Sequence, residues 1–142
     1  MGEGARAGGC LCGGVRFLAS PAKPEMDVCH CGICRRWSGG AFMAVGCAGE
    51  FELTASATLG IYRSSAYGER LFCKSCGSSL VWRMQDGSMH AVSLQAFDDQ
   101  DGFTFAEEIF FDEKPPTYDF ANATRKLTGA DVMAQFANEQ GA

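Results

Sequence analysis

Residues 70–80 read RLFCKSCGSSL, a β-type run that leads into a C-x-x-C pair of cysteines. Earlier in the chain, residues 8–17 (GGCLCGGVRF) hold a C-x-C pair, and residues 29–42 (CHCGICRRWSGGAF) hold a C-x-C-x-x-C triple. The cysteines of these three motifs are Cys10, Cys12, Cys29, Cys31, Cys34, Cys73 and Cys76. Of the eight cysteines in the chain, only Cys47 lies apart, so the cysteine pattern dominates the interpretation.

Clustered thiols indicate a disulfide framework, a redox site or a metal site. An even number of cysteines fits a disulfide framework. The N-terminal residues MGEGARAGGCLCGG, however, lack the apolar run of a signal sequence, so we expect an intracellular, cytoplasmic protein in a reducing compartment, where clustered thiols more often bind metal. A redox dithiol at Cys73 and Cys76 is a further alternative, but no βαβ pattern flanks it. Metal ligation is therefore favoured.

The cluster sizes restrict how the thiols can share metal ions. A structural zinc takes four ligands in a tetrahedron, and the triple cannot join either pair intact because the sum would be five thiolates. The two groups that remain are the tetrad (Cys10, Cys12, Cys73 and Cys76) and the trio (Cys29, Cys31 and Cys34). The sequence thus predicts two zinc ions per chain. The tetrad would form a closed structural site, and the trio would form a catalytic site with one free position.

Other side chains could close the trio, which would leave two structural zinc ions and no catalysis. In an extended segment His30 points away from the face that carries Cys29 and Cys31, which favours a hydrogen-bonding role. His90, within SMHAVSL, is typical of a half-buried strand histidine, and Cys47, within AFMAVGCAG, of a buried free thiol. An iron–sulfur cluster usually takes four protein thiolates, so zinc needs fewer assumptions.

The rest of the chain predicts one mainly β domain over residues 1–142. Short β-type runs bounded by Gly, Ser, Pro and Asp lie at 15–19, 26–30, 41–46, 49–55, 59–63, 70–73, 79–84, 89–94 and 107–112. A short C-terminal helix is expected, because Thr128 and Asp131 have the spacing of an N-terminal cap and Val132 and Phe136 lie four residues apart. Residues 2–8 are interpreted as a flexible end.

Charge narrows the range of partners. Twelve basic and seventeen acidic residues give a net charge of -5, which opposes binding to phosphate backbones, so we expect no nucleic-acid partner. The sequence contains no run of 18 consecutive apolar residues, so we expect no membrane span. Arg35 and Arg36 directly follow Cys34 and are candidates to bind the carboxylates of a small anionic thiol such as glutathione. Alternatively, they are ordinary surface arginines or offset an anionic zinc–thiolate centre.

The three motifs, in this order and with these flanks, resemble the glutathione-dependent formaldehyde-activating enzyme (GFA) family, whose domain is shared with centromere protein V. The resemblance runs from about residue 8 to residue 120. It implies a β-tent, in which several small coiled β-sheets surround zinc. It also implies a structural zinc on the first and third motifs and a catalytic zinc on the middle motif.

The family's activity is carbon–sulfur lyase chemistry on S-hydroxymethylglutathione, the adduct of formaldehyde and glutathione. The expectation is therefore a zinc-dependent lyase of the S-(hydroxymethyl)glutathione synthase kind, acting on a small thiol–aldehyde adduct. A non-catalytic, zinc-stabilised protein-binding module is the alternative. The chain departs from the family where Glu107 or Glu108 replaces a frequent histidine and Thr117 a frequent tryptophan, positions that bear on substrate identity.

Overall fold

The structure is a computed structural model that describes residues 4–141, with side chains for residues 4–137. Its strands are β1 (Arg6–Gly9), β2 (Val15–Ala19), β3 (Glu25–Cys29), β4 (Phe42–Gly46), β5 (Phe51–Ser56), β6 (Leu59–Tyr62), β7 (Gly68–Cys73), β8 (Ser79–Met84), β9 (His90–Ser93), β10 (Thr104–Ile109) and β11 (Arg125–Lys126). The α-helices are α1 (Gly32–Ser38) and α2 (Gly129–Gly141), and short 3₁₀ turns lie at Leu94–Ala96 and Phe111–Glu113. The predicted mainly β class with a short C-terminal helix is confirmed.

The strands form two sheets. The smaller has the order β1-β2-β5, and the larger has the order β11-β10-β3-β4-β9-β8-β7-β6. β10 pairs in parallel with both β3 and β11, whereas the other pairs are antiparallel. The parallel pairing matters for the site, because it sets the C-terminal part of the chain beside β3, the strand that ends at Cys29.

The main core lies against both sheets. Its buried apolar residues include Val15 and Phe17 from the smaller sheet and Leu71, Val81 and Val92 from the larger one. Along β2 burial alternates with the two-residue period of a strand, which explains why the run at 15–19 was predicted with its observed bounds. A second, smaller cluster combines two cysteines of the trio with apolar residues of β4.

The N-terminal prediction was wrong in part. Residues 6–9 are not a flexible end but form β1, which pairs with β2 along its length. Glycine makes this close pairing possible, since a Cβ atom on Gly8 would lie 2.5 Å from the ring of Phe17. Residues 1–3 lie outside the described part of the chain.

The strand around residue 107 and the first helix also differ from the prediction. The run at 107–112 was expected to be one strand. β10 instead begins at Thr104 and ends at Ile109, where Phe110 adopts a left-handed conformation with φ of 52°. Helix α1 was not predicted. Cys31 caps its N-terminus by accepting a hydrogen bond from the backbone N–H of Cys34, and Gly39, at φ of 80°, ends it.

The C-terminal helix begins as predicted. The hydroxyl of Thr128 accepts from the N–H of Asp131 at 3.1 Å, and the Asp131 carboxylate accepts from the N–H of Thr128 at 2.9 Å. Phe136 stacks on Tyr67 at 6.0 Å between ring centroids, so the helix packs against the end of the larger sheet. Within residues 4–141, no helix has the length and apolar character needed to cross a membrane.

Candidate metal centres

The four sulfur atoms of the tetrad lie within 4.8 Å of one another. The Sγ atom of Cys12 is 3.7 Å from that of Cys10 and 3.6 Å from that of Cys73. A tetrahedral zinc ion with four bonds of 2.3 Å to sulfur would separate the sulfurs by about 3.8 Å. The spacing of the tetrad therefore fits a four-coordinate zinc ion.

Hydrogen-bond donors surround the tetrad sulfurs. The hydroxyls of Thr58 and Ser78 lie 3.1 Å from Cys73 Sγ and 3.2 Å from Cys76 Sγ, respectively. These bonds favour the ionised thiols: the Ser78 hydroxyl and backbone N–H lower the pKa of Cys76 to about 5, and the Thr58 hydroxyl lowers the pKa of Cys73. These two thiols are thus prepared for the thiolate form that binds metal.

The trio also comes together, with its three sulfurs within 4.8 Å of one another. Cys29 is the last residue of β3, Cys31 caps α1, and Cys34 lies in the first turn of that helix. Hydrogen bonds from Cys29 and Cys34 lower the pKa of Cys31, and the same sharing of protons raises the pKa of Cys29. The donor set fits zinc, which thiolate ligands favour. Among the described residues, no fourth Cys, His, Asp or Glu joins this group.

The three candidates to close the trio have other surroundings. Cys47 is fully buried in the main core, and burial raises the pKa of its thiol to about 12. His90 is 3% exposed, more buried than predicted, with Nδ1 2.7 Å from the carbonyl oxygen of Ala48 and its ring stacked on Phe51. His30 belongs to a separate polar network. Among the described residues, none of these three side chains has its ligand atom grouped with the sulfurs of the trio.

A buried polar network holds the loop between Cys29 and Cys31. His30 is fully buried, with Nε2 2.7 Å from Glu108 Oε1 and Nδ1 2.8 Å from the hydroxyl of Tyr118. Both ring nitrogens of this buried imidazole therefore have hydrogen-bond partners. This confirms the hydrogen-bonding role predicted for His30.

Glu108 is the hub of that network. Burial opposes its ionisation, but hydrogen bonds from the Thr124 hydroxyl at 2.6 Å and from His30 outweigh this effect and lower the pKa of Glu108. Glu108 is one of the two glutamates at which the chain departs from the family pattern, and in this structure that position supports His30. Sequence reasoning missed both Glu108 and Tyr118 as partners.

The two arginines after Cys34 differ in their contacts. Arg35 Nε donates to the carbonyl oxygen of His30 at 2.9 Å, and its Nη2 atom donates to that of Glu113 at 3.4 Å. Arg35 therefore ties α1 to the segment after β10. Arg36 is exposed. The prediction that the two residues bind substrate stays a prediction.

Another arginine, missed by the sequence reasoning, touches the trio. Arg70 of β7 is 4% exposed, and its Nη1 atom donates to Cys34 Sγ at 3.4 Å. Its guanidinium carbon lies 5.0 Å from the ring centroid of Trp37. Arg70 opens the run RLFC directly after Glu69, and the local sequence gives no sign that this arginine is buried.

Comparison with known proteins decides the family. The model of the family described as "Glutathione-dependent formaldehyde-activating enzyme" matches residues 5–113, a span that includes the tetrad and the trio. The chain belongs to this GFA family. The resemblance seen in the three cysteine motifs is thereby confirmed.

Individual relatives of this GFA-family chain agree. An uncharacterised lyase of Schizosaccharomyces pombe is 35% identical over 127 residues, which cover 89% of this chain and 93% of the relative. A Halomonas elongata protein provisionally named a glutathione-dependent formaldehyde-activating enzyme is 34% identical over 82 residues, or 51% of this chain and 52% of that protein.

A solved structure supports the fold alone. The crystal structure of a Rhodobacter sphaeroides protein superposes with a TM-score of 0.57 at 18% identity, covering 65% of this chain and 87% of that one.

Proposed function

We propose that this GFA-family protein is a zinc-dependent carbon–sulfur lyase that acts on a small thiol–aldehyde adduct of the S-hydroxymethylglutathione kind. Family membership and the lyase name of the S. pombe relative support this reaction class. The observation that carries the proposal is the trio itself. Three sulfurs lie together, apart from the tetrad, and no fourth ligating side chain among the described residues joins them.

The proposal assigns different roles to the two groups of cysteines. The tetrad would hold a structural zinc, because four thiolates fill a tetrahedral coordination sphere. The trio would hold the catalytic zinc. Zinc bound there would supply one free coordination position for a substrate sulfur.

The chain's own residues would then orient the reaction. The trio is built into the junction of β3 and α1, and the bonds from His30 to Glu108 and Tyr118 fix the loop between two of its sulfurs. Three thiolates donate strongly, so we expect thiol positioning and exchange to outweigh water activation, and hydrolysis to be the lesser reaction. Rigid placement of this kind accelerates the addition of a thiol to an aldehyde and the cleavage of the resulting adduct.

Charge beside the trio would select the thiol. Arg36 is exposed and adjoins the trio in sequence, so it is the better candidate to bind a glutathione carboxylate. Arg35 is engaged by two backbone carbonyl oxygens and would mainly hold α1 in place. We therefore propose the larger substrate contribution for Arg36.

Exchange spectroscopy by NMR tests the proposal on the zinc-loaded protein with formaldehyde and glutathione. We expect the wild-type protein to accelerate exchange between the free thiol and its hydroxymethyl adduct, and Cys31→Ser to lose that acceleration. Cys47→Ala is the matched control, because Cys47 lies in the main core outside both sulfur groups. Equal exchange rates in the wild type and Cys31→Ser would contradict the proposal and favour the protein-binding module.

A further inference from the structure

A buried positive charge lies directly against the trio. Arg70 extends from β7, and its guanidinium contacts three groups: Cys34 Sγ at 3.4 Å, the Ser64 hydroxyl at 3.1 Å and the face of Trp37 at 5.0 Å. Trp37 lies one turn after Cys34 on α1, so a single side chain contacts both consecutive turns of that helix. With 4% exposure, Arg70 has almost no access to water.

Carboxylates do not neutralise this charge. Within residues 4–137, none forms an ion pair with Arg70. The neighbouring Glu69 pairs instead with Arg83 at 2.8 Å and with Arg63 at 3.6 Å. A buried charge without a counter-charge is strongly destabilising, so Arg70 requires an anionic partner. The sulfur of Cys34, as a thiolate, is the group in contact that can supply it.

We propose that Arg70 is a positioning residue of the trio, which holds Cys34 Sγ in place through its hydrogen bond and offsets the negative charge of the three sulfurs around a metal ion. This inference rests on the proposed function, in which the trio binds a divalent metal. Three thiolates around a divalent cation carry a net charge of about −1, and Arg70 brings the local sum to about zero. An incoming thiolate then meets a neutral centre instead of an anionic one.

The geometry favours arginine over lysine. The planar guanidinium donates through Nη1 and Nε to different partners while its central carbon lies over the ring of Trp37. A lysine ammonium is a point charge and cannot keep this combination. We therefore expect Arg70→Lys to retain part of the charge effect but to lose the fixed position of Cys34.

The position of Arg70 also separates it from the structural site. Arg70 and Cys73 lie three residues apart on β7, so their side chains point to opposite faces of the strand. Replacing Arg70 should therefore affect the trio and leave metal binding by the tetrad in place.

The test uses cobalt(II) in place of zinc, because its thiolate charge-transfer absorption reports each site without an activity assay. The variants are Arg70→Met and Arg70→Lys. Arg83→Met is the matched control, since Arg83 lies on the adjacent strand and pairs with Glu69. Each protein is titrated with cobalt and then with 2-mercaptoethanol as a small thiol probe, while circular dichroism monitors folding.

We expect Arg70→Met to bind the second cobalt ion and the thiol about 10-fold or more weakly, as for loss of a partner that supports a metal ligand. Arg70→Lys should fall between Arg70→Met and the wild type, and Arg83→Met should match the wild type. If Arg70→Met fails to fold, the affinity of Arg70→Lys for the second cobalt ion tests the role of Arg70, and we expect this affinity to be weaker than that of the wild type.

Wild-type affinities for the second cobalt ion and the thiol in a folded Arg70→Met, or in Arg70→Lys if only that variant folds, would overturn the role of Arg70. If the wild-type protein binds only one cobalt ion, that result would overturn the proposed function itself, and this inference with it.

Discussion

The two groups of cysteines differ in how they depend on the fold. The tetrad joins distant parts of the chain, because Cys10 follows β1 of the smaller sheet and Cys73 ends β7 of the larger one. The trio comes from one short segment at the end of β3 and the start of α1. A metal on the tetrad would close a long loop and join the two sheets, whereas a metal on the trio would join residues that are already neighbours.

Their immediate surroundings differ as well. Neutral hydroxyls of Thr58 and Ser78 contact the tetrad, whereas the guanidinium of Arg70 contacts the trio. The first arrangement suits a site that is already fully coordinated. The second suits a site that must accept one more anion. This difference agrees with the proposed division between a group of ligands that holds the structure and one that is available for chemistry.

The largest expected difference comes from removing one ligand from each group. Cys73→Ser should unfold or aggregate the protein, because structural zinc sites contribute on the order of 10 kcal/mol of apparent binding free energy. Cys34→Ser should stay folded. Thermal unfolding of both variants in zinc-containing buffer, followed by circular dichroism, measures the difference. Equal losses of stability would remove the distinction between the two groups.

A smaller loss of stability is expected when the hydrogen-bond network beside the trio is broken. Glu108→Ala leaves the buried His30 without its acceptor and should lower the free energy of unfolding by roughly 1–3 kcal/mol. Glu107→Ala is the matched control, because Glu107 pairs with the exposed Arg125 and should cost less than about 1 kcal/mol. Urea denaturation of both variants measures the two losses. A Glu108→Ala variant as stable as its control would show that the network does not hold the site.

A still smaller loss of stability is expected when a hydrogen bond to the tetrad is removed. Thr58→Val keeps the side-chain shape but removes the hydroxyl beside Cys73, at a cost of about 1 kcal/mol. Competition with a coloured chelator should then release the tetrad's metal about 10-fold more readily and leave the trio's metal unchanged. Release from the trio alone would reverse the proposed assignment of supporting residues.

The smallest effect is expected at the cap of α2, whose hydrogen bonds lie between Thr128 and Asp131. Thr128→Ala removes the cap of α2 and should cost about 0.5 kcal/mol, with metal content unchanged. Helical circular dichroism and metal analysis of the same sample check this. A change in metal content would mean that α2 is coupled to a metal site and would contradict this prediction.

The parts of the fold that could be predicted depend on patterns among residues close together in the sequence. The alternation of β2 and the helix start at Thr128 depend on neighbours within a few residues, and both agree with the structure. Helix α1 has seven residues, too few for a helical period to stand out. The glycine-rich start of the chain gave no strand signal, because β1 forms through close backbone pairing with β2.

The candidate site follows the same rule. The partition into tetrad and trio could be predicted because it needs only cysteine spacing and the number of ligands a metal accepts. The supporting residues could not be predicted. Glu108 lies 78 residues from His30 and Arg70 lies 36 residues from Cys34, and the sheet pairings that bring them together leave no trace in the local sequence.

Metal counting on purified protein distinguishes a closed tetrad and an open trio from other arrangements of the thiols. We expect two zinc ions per chain in the wild type and one in a folded Cys31→Ser variant, with the remaining ion lost only when the protein unfolds. A single zinc ion in the wild type, or two in Cys31→Ser, would contradict the division between a closed tetrad and an open trio.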